Sequence, residues 1–351
     1  MSQKIEITRI EKSKINDIDF NNFSFGSVFT DHMFECDFID GKWVNPTIKP
    51  YQPISIEPSA SVLHYGQAIF EGMKAYKDKN DEVWLFRPDQ NFERINKSAV
   101  RMAIPEFPEE LFYEALIKLI NIDRDWVKHG DGKSLYIRPF VIGNEYAIQA
   151  VPSKNYKFMI ICAPATLYYT KKLKVLVADK FSRAASGGVG YAKAAGNYAG
   201  QFYPTKLAND EGFDQVIWTD ANEHNYLEEA GTMNIFFRIN DTLITAPTTD
   251  TILDGVTRKS LIQIAKDIGI EVEIKKLKVD ELKNAAKNGS LKEIFGAGTA
   301  AVVSQINAFQ HKGELFELNE LDNSYAEKLK SNLVGIQTNQ LADHHSWRYK
   351  V

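Results

Sequence analysis

The stretch GVGYAKAAGNYAG, residues 188–200, sets one lysine, Lys193, among Gly188, Gly190, Ala192, Ala194, Ala195, Gly196, Ala199 and Gly200. Residues with almost no side chain let backbone and ligand come close, so the spacing reads as a long cation held against a flat or bulky group. A flexible, solvated loop is the plain alternative, and these thirteen residues taken alone favour it. With the preceding SRAAS the stretch is the strongest composition shift in the chain, which marks a passage between two domains.

On its N-terminal side the patterns mix strand and helix. EVWLF (82–86), SLYIRPFVIG (134–143) and YKFMIICAP (156–164) read as strands, and PEELFYEALIKLINIDRDWV (108–127) carries its apolar residues at helical spacing. On the C-terminal side QVIWT, NIFFRI and TLITAP read as strands, the last two joined by a turn at Asn240 and Asp241. DGVTRKSLIQIAKDIG reads as a turn and a helix ending at Gly269, EVEIKKL as a strand, and EIFGAGTAAVV as a strand interrupted by a tight loop. An α/β or α+β class follows. The patterning points to a first domain ending near residue 168 and a second domain entered through the glycine-rich stretch.

The totals restrict function more than they assign it. A chain of 351 residues has room for about two domains. With 44% hydrophobic and 25% charged residues and a net charge of −4, it offers no basic excess for nucleic acid and no apolar run of membrane-spanning length. A small-molecule ligand is expected. Cys36 and Cys162, far apart and outside any Cys-x-x-Cys pattern, predict neither a disulfide framework nor a zinc site. The opening MSQKIEITRIEKSK has no signal-like apolar stretch, and a cytoplasmic location is expected.

The glycine-rich stretch lacks both the ending of a P-loop and the G-x-G-x-x-G of a dinucleotide fold. The seven histidines show no His-Glu-x-x-His pattern, and no metal is expected. Other features gain meaning together. YLEEAGTMNIFF places Glu228 and Glu229 just before a turn and an apolar strand, where an unpartnered charge is expensive; taken alone, Glu229 reads as a surface residue. Val256 and Thr257 open a helix whose free N–H groups suit an anion, although Thr257 also reads as a simple N-cap. GAGTAA (296–301) supplies a second turn with the Thr299 hydroxyl, and Arg94, Ser98 and Arg101 share one helical face. A lysine, a carboxylate, an arginine and two amide-rich turns are what pyridoxal phosphate needs: an amine for its aldehyde, an anion for its ring nitrogen and donors for its phosphate.

The blocks LHYGQAIFEGMKAY (63–76), LYIRPFVIG (135–143), AKAAGNYAG (192–200), EAGTMNIF (229–236), DGVTRKSL (254–261) and FGAGTAAVV (295–303) resemble those of the branched-chain amino-acid aminotransferases, fold-type IV pyridoxal-phosphate enzymes. The similarity is greater to the longer form that includes the animal enzymes, and it runs from about residue 25 to the end. It implies a small α/β domain over 1–168, an interdomain loop over 169–181, a larger domain with a β-barrel-like core over 182–351, and a homodimer.

By position, the resemblance implies Lys193 as the lysine that carries the cofactor, Tyr198 at the ring hydroxyl, Glu229 and not Glu228 at the ring nitrogen, and Arg94, Val256, Thr257 and Thr299 around the phosphate. Tyr65, Phe70, Tyr136, Tyr168, Thr232 and Ala300 match the substrate pocket, and Arg138 matches the arginine that receives the side-chain carboxylate of glutamate. The implied reaction is a ping-pong transamination of L-leucine, L-isoleucine and L-valine with 2-oxoglutarate. A D-amino-acid aminotransferase, an aminodeoxychorismate lyase or an idle binding protein on the same scaffold are the alternatives. One departure stands out: where the mammalian members carry a Cys-x-x-Cys after the last phosphate turn, this chain has Ala301 and Ser304, which removes a thiol switch at that place.

Overall fold

Alternating apolar residues in the first half of the chain build one long sheet. The computed structural model describes residues 4–20, 22–166, 169 and 171–351, and it divides into two units. The first comprises Met1–Tyr168, Ala192–Gly196 and Ile336–Val351. Its nine-stranded sheet runs Glu6–Ile7, Lys42–Pro50, His32–Ile39, Tyr156–Ala165, Ser134–Gly143, Met73–Lys77, Val83–Phe86 and Arg348–Lys350, with Ala68–Phe70 paired to Ser134–Gly143. The predicted strands at 82–86, 134–143 and 156–164 are present within one residue at each end.

The helices Pro88–Arg101 and Glu109–Ile122 supply the other half of this unit's core. Pro88 occupies the first turn, where its missing N–H costs no helical hydrogen bond. Ile95, Ala99, Phe112, Leu116 and Leu119 pack with Phe34, Ile48, Phe158 and Ile160 of the sheet. Phe107 stacks on Phe158 with ring centroids 3.8 Å apart. Both thiols, Cys36 and Cys162, are buried and free, and burial pushes the Cys36 thiol up to about 12.

The second unit, Tyr169–Tyr191 with Asn197–Gly335, contains a closed barrel. Its six strands run Leu173–Val177, Gln215–Thr219, Tyr226–Ala230, Met233–Ile239, Leu291–Gly298 and Val302–His311, the last pairing back to the first. Closure leaves those strands no free edge and fills the interior with Val175, Ile217, Leu227, Ile235, Phe237, Ile294 and Phe309. The predicted hairpin turn is present, with Asn240 left-handed at φ 52° between Met233–Ile239 and Thr242–Thr245. The segment 169–181, expected to be a loop, contains the barrel strand Leu173–Val177. Its alternating exposed and buried residues follow from a place in the barrel wall that its Lys-rich flanks conceal.

The lysine-bearing stretch folds in an unexpected way. From Ala195 it is the helix Ala195–Asp210, despite Gly196, Gly200 and Pro204. Gly190 is small for a packing reason, since a Cβ there would lie 2.8 Å from the Cα and carbonyl oxygen of Thr251. Gly196 and Gly200 face open space, so close approach explains only part of the run. Lys193 groups with the first unit and not with the residues around it in sequence: Ala194 forms a bridge to Ile69, and the Lys193 carbonyl accepts the Phe70 N–H at 3.1 Å. The strands His32–Ile39 and Lys42–Pro50 and the helix Tyr325–Gln337 are elements that the sequence patterns do not announce. Among the described residues, no helix is long and apolar enough to cross a membrane.

Candidate active site

In the first unit, Phe70 ends the strand Ala68–Phe70 and Glu71 follows it, its N–H donating to the Pro139 carbonyl at 2.7 Å. Two neighbours in sequence thereby serve two partners. Phe70 lies under the Lys193 amine, with Nζ 4.7 Å from the ring centroid. Glu71, with no exposed surface, accepts from Arg94 Nε at 2.6 Å and Nη2 at 2.9 Å, from Asn91 at 2.7 Å and from the Gly72 N–H at 3.0 Å.

Ser98, one turn beyond Arg94 on the helix Pro88–Arg101, accepts the Lys193 N–H at 2.9 Å and donates to the Arg94 carbonyl at 2.9 Å. Of the predicted basic face, Arg94 and Ser98 are buried and Arg101 is not. The Lys193 residue keeps some surface, yet its amine is pushed down to about 8. Desolvation is the main cause; the cations of Arg94 and Arg138 act in the same sense, and Glu71 and Tyr136 oppose them. An amine in that range is neutral often enough near pH 8 to act as nucleophile or base.

Arg138, on Ser134–Gly143, lies over the Phe70 ring at 4.6 Å and donates to the Tyr136 hydroxyl at 2.9 Å. Its Nε is buried and makes no hydrogen bond. A cation with one donor unspent, framed by two aromatic rings, suits either a carboxylate or an aliphatic group beside it. Gly72 leaves room for the Tyr136 hydroxyl, which a Cβ would strike. Tyr65 closes the short helix Ser61–Tyr65 and is exposed.

In the second unit, Glu229 is buried on Tyr226–Ala230, contrary to the surface position it suggests in isolation. One carboxylate oxygen accepts from Asn234 at 3.0 Å and the Leu253 N–H at 3.1 Å, and the other pairs with Arg183 Nε at 2.6 Å. Strand alternation turns Glu228 to the opposite face, where it accepts from Thr251 at 2.6 Å and burial raises its pKa. The helix Val256–Asp267 starts after Gly255, so Thr257 lies inside the first turn and is not the N-cap. A Cβ on Gly255 would collide with the Asn234 carboxamide. Thr299 and Ala300 form the turn between Leu291–Gly298 and Val302–His311, and Thr232, in the turn after Gly231, is exposed.

The expected residues fall in two sets. Arg94, Lys193, Tyr65, Phe70, Tyr136 and Arg138 group with the first unit; Tyr198, Glu229, Thr232, Val256, Thr257, Thr299 and Ala300 group with the second. Tyr168 lies outside the described residues. Sequence reasoning misses Glu71 and Arg183. Glu71 carries a signal, a lone acid between apolar neighbours in AIFEGM, whereas nothing local links Arg183 to a carboxylate 46 positions later. Each unit carries groups that suit pyridoxal phosphate: a partly neutral amine in the first, and in the second a buried carboxylate paired with a guanidinium and a glycine-fronted helix start. Among the described residues, no group of three or more His, Cys, Asp or Glu is placed to hold a metal.

Residues 68–309 match the family model for amino-transferase class IV. The chain is 45% identical to the probable branched-chain-amino-acid aminotransferase of Staphylococcus epidermidis, an alignment covering 100% of this chain and 99% of that protein. It is 44% identical to branched-chain-amino-acid aminotransferase 2 of Bacillus subtilis, over 99% and 96% of the two chains. Among solved structures, the branched-chain aminotransferase of Thermoproteus uzoniensis with norvaline superposes with a TM-score of 0.74 at 24% identity, covering 91% of this chain and 99% of that one. The T.th. branched-chain amino acid aminotransferase complexed with N-(5'-phosphopyridoxyl)-L-glutamate gives a TM-score of 0.72 at 24% identity, over 90% and 97%. These two likenesses establish the fold, which is that of fold-type IV.

Proposed function

The chain belongs to the amino-transferase class IV family, and from that premise we propose that it is an enzyme exchanging amino groups between L-leucine, L-isoleucine or L-valine and 2-oxoglutarate, with pyridoxal phosphate as cofactor. The observation that carries this reading is the Lys193 amine, lowered to about 8 and seated over Phe70 with Arg94 and Arg138 nearby. The names of the full-length relatives support the substrate class, and the phosphopyridoxyl complex of the T.th. enzyme supports the cofactor.

When bound, pyridoxal phosphate supplies an aldehyde that condenses with amines and a ring that accepts electrons. Lys193 would hold that aldehyde, and its amine, when neutral, would serve as the base for the proton on the substrate Cα. Glu229, paired with Arg183, would face the ring nitrogen and favour its protonated form. Arg94 of the first unit, and the helix start at Val256 and Thr257 and the Thr299 turn of the second, would hold the phosphate, and Tyr198 would donate to the ring hydroxyl oxygen. Phe70, Tyr65 and Tyr136 of the first unit, and Thr232 and Ala300 of the second, would contact the substrate. The aromatic members favour leucine, isoleucine and valine, because each buried methylene contributes about 0.8 kcal/mol. The same reading includes a small and a large domain, a homodimer and a cytoplasmic location.

Borohydride reduction tests the assignment. Reduction of the purified chain with pyridoxal phosphate should leave a pyridoxyl group on the peptide containing Lys193, by mass spectrometry, and bleach its visible absorption. Labelling spread over surface lysines with none at Lys193 would sink the reading. Arg138→Met should reduce kcat/KM for glutamate by about 10²-fold, because a buried carboxylate loses its partner, while leucine loses less than about fivefold. Steady-state assays with both substrates decide this, and equal losses would remove Arg138 from carboxylate recognition.

A further inference from the structure

A buried carboxylate is costly, and replacing a buried ion pair by apolar side chains commonly leaves stability unchanged or improved. Glu71 nevertheless has no exposed surface and accepts four hydrogen bonds, two of them a fork from Arg94. The surroundings tie this pair to the lysine. Phe70, the preceding residue, holds the Lys193 carbonyl through its N–H and lies beneath the amine. Ser98, one turn past Arg94, holds the Lys193 N–H. Strand end and helix therefore meet at Lys193 from two sides, and Glu71 joins them through Arg94 and Asn91.

We propose that Glu71 is a positioning residue: its carboxylate fixes the plane of the Arg94 guanidinium, and its charge keeps the proton affinity of Lys193 from being stripped away by Arg94 and Arg138. Among the described residues, the charged and titratable groups that act most strongly on the amine are Arg94 from the helix, Glu71 from the strand end, and Tyr136 and Arg138 from Ser134–Gly143. Two of these are cations, and the Glu71 carboxylate opposes them. Loss of Glu71 leaves the two cations unopposed, so the amine releases its proton at lower pH. The inference deepens the proposed role of Lys193 but does not require the cofactor, because it concerns the amine itself.

The test is competitive acetylation of the cofactor-free full-length chain across pH, read by mass spectrometry on the peptide containing Lys193. The parent midpoint should lie near 8. Glu71→Gln should lower it by about one pH unit, a tenfold loss of proton affinity, while Glu71→Asp stays near the parent. Because Glu71→Gln leaves Arg94 buried without its counter-ion, Arg94→Gln and the double variant Glu71→Gln/Arg94→Gln form a second comparison that strands no arginine. Arg94→Gln should raise the midpoint, and the double variant should bring it back down by about the same unit. Equal midpoints in Arg94→Gln and the double variant, or a Glu71→Gln midpoint equal to that of the parent, would overturn the proposal and leave Glu71 a purely structural partner. Should the midpoints shift as expected in a chain that never takes up pyridoxal phosphate, the functional reading fails and this inference stands.

Discussion

Lys193→Ala is expected to lower the turnover of L-leucine by at least about 10³-fold, because in the proposed function one side chain supplies both the covalent hold on the aldehyde and the base for the Cα proton. Its effect on stability should have the opposite sign. The folded chain lowers the lysine from 10.5 to about 8, so between these values the unfolded chain binds more protons and stability rises with pH. Below pH 8 the full penalty of the charged amine is present. Removing it should stabilise the cofactor-free chain by about 1–3 kcal/mol at pH 7, and that gain should vanish above about pH 10.5. Urea unfolding at pH 7 and at the alkaline end measures it. A variant that retained leucine turnover, or that was less stable than the parent at pH 7, would contradict the assignment of this amine.

The second large effect is expected at Glu229. Glu229→Gln keeps the shape of the side chain and the oxygen that accepts from Asn234 and Leu253, but it removes the charge facing Arg183. In the proposed function Glu229 faces the ring nitrogen, which a neutral carboxamide cannot keep protonated, so kcat should fall by about 10²–10³-fold. The matching change at Glu228 is the control. That carboxyl turns to the other face and takes its hydrogen bond from Thr251, so Glu228→Gln should alter kcat by less than about threefold. Stopped-flow half-reactions with leucine separate the two variants. Similar losses in both would mean that the pair contributes through packing and not through the charge at Glu229.

These two predictions rest on residues of different legibility. Lys193 is conspicuous, since a cation in a run of small residues contrasts with its surroundings. Glu229 becomes specific only through its spacing to Gly231 and Asn234, which the structure explains: the turn at Gly231, φ 55°, pairs Glu229 directly with Asn234 across two strands. Glu71 and Arg183 escape a reading of the sequence because their roles depend on partners 23 and 46 positions away. Charge type alone does not identify such partners.

Local pattern by itself determined where the long strands at 134–143 and 156–164 lie, the helix that opens at Val256, the turn at Asn240 and the family to which the blocks belong. These features depend on side-chain periodicity, backbone preference and short spacing, all of which act between near neighbours. Only the tertiary structure decided that 173–177 completes a closed barrel, that the glycine-bearing segment 195–210 is helical, and that Lys193 belongs with Phe70, Arg94 and Ser98. Each of those outcomes comes from contacts between residues distant in sequence, where desolvation and charge pairing outweigh local propensity.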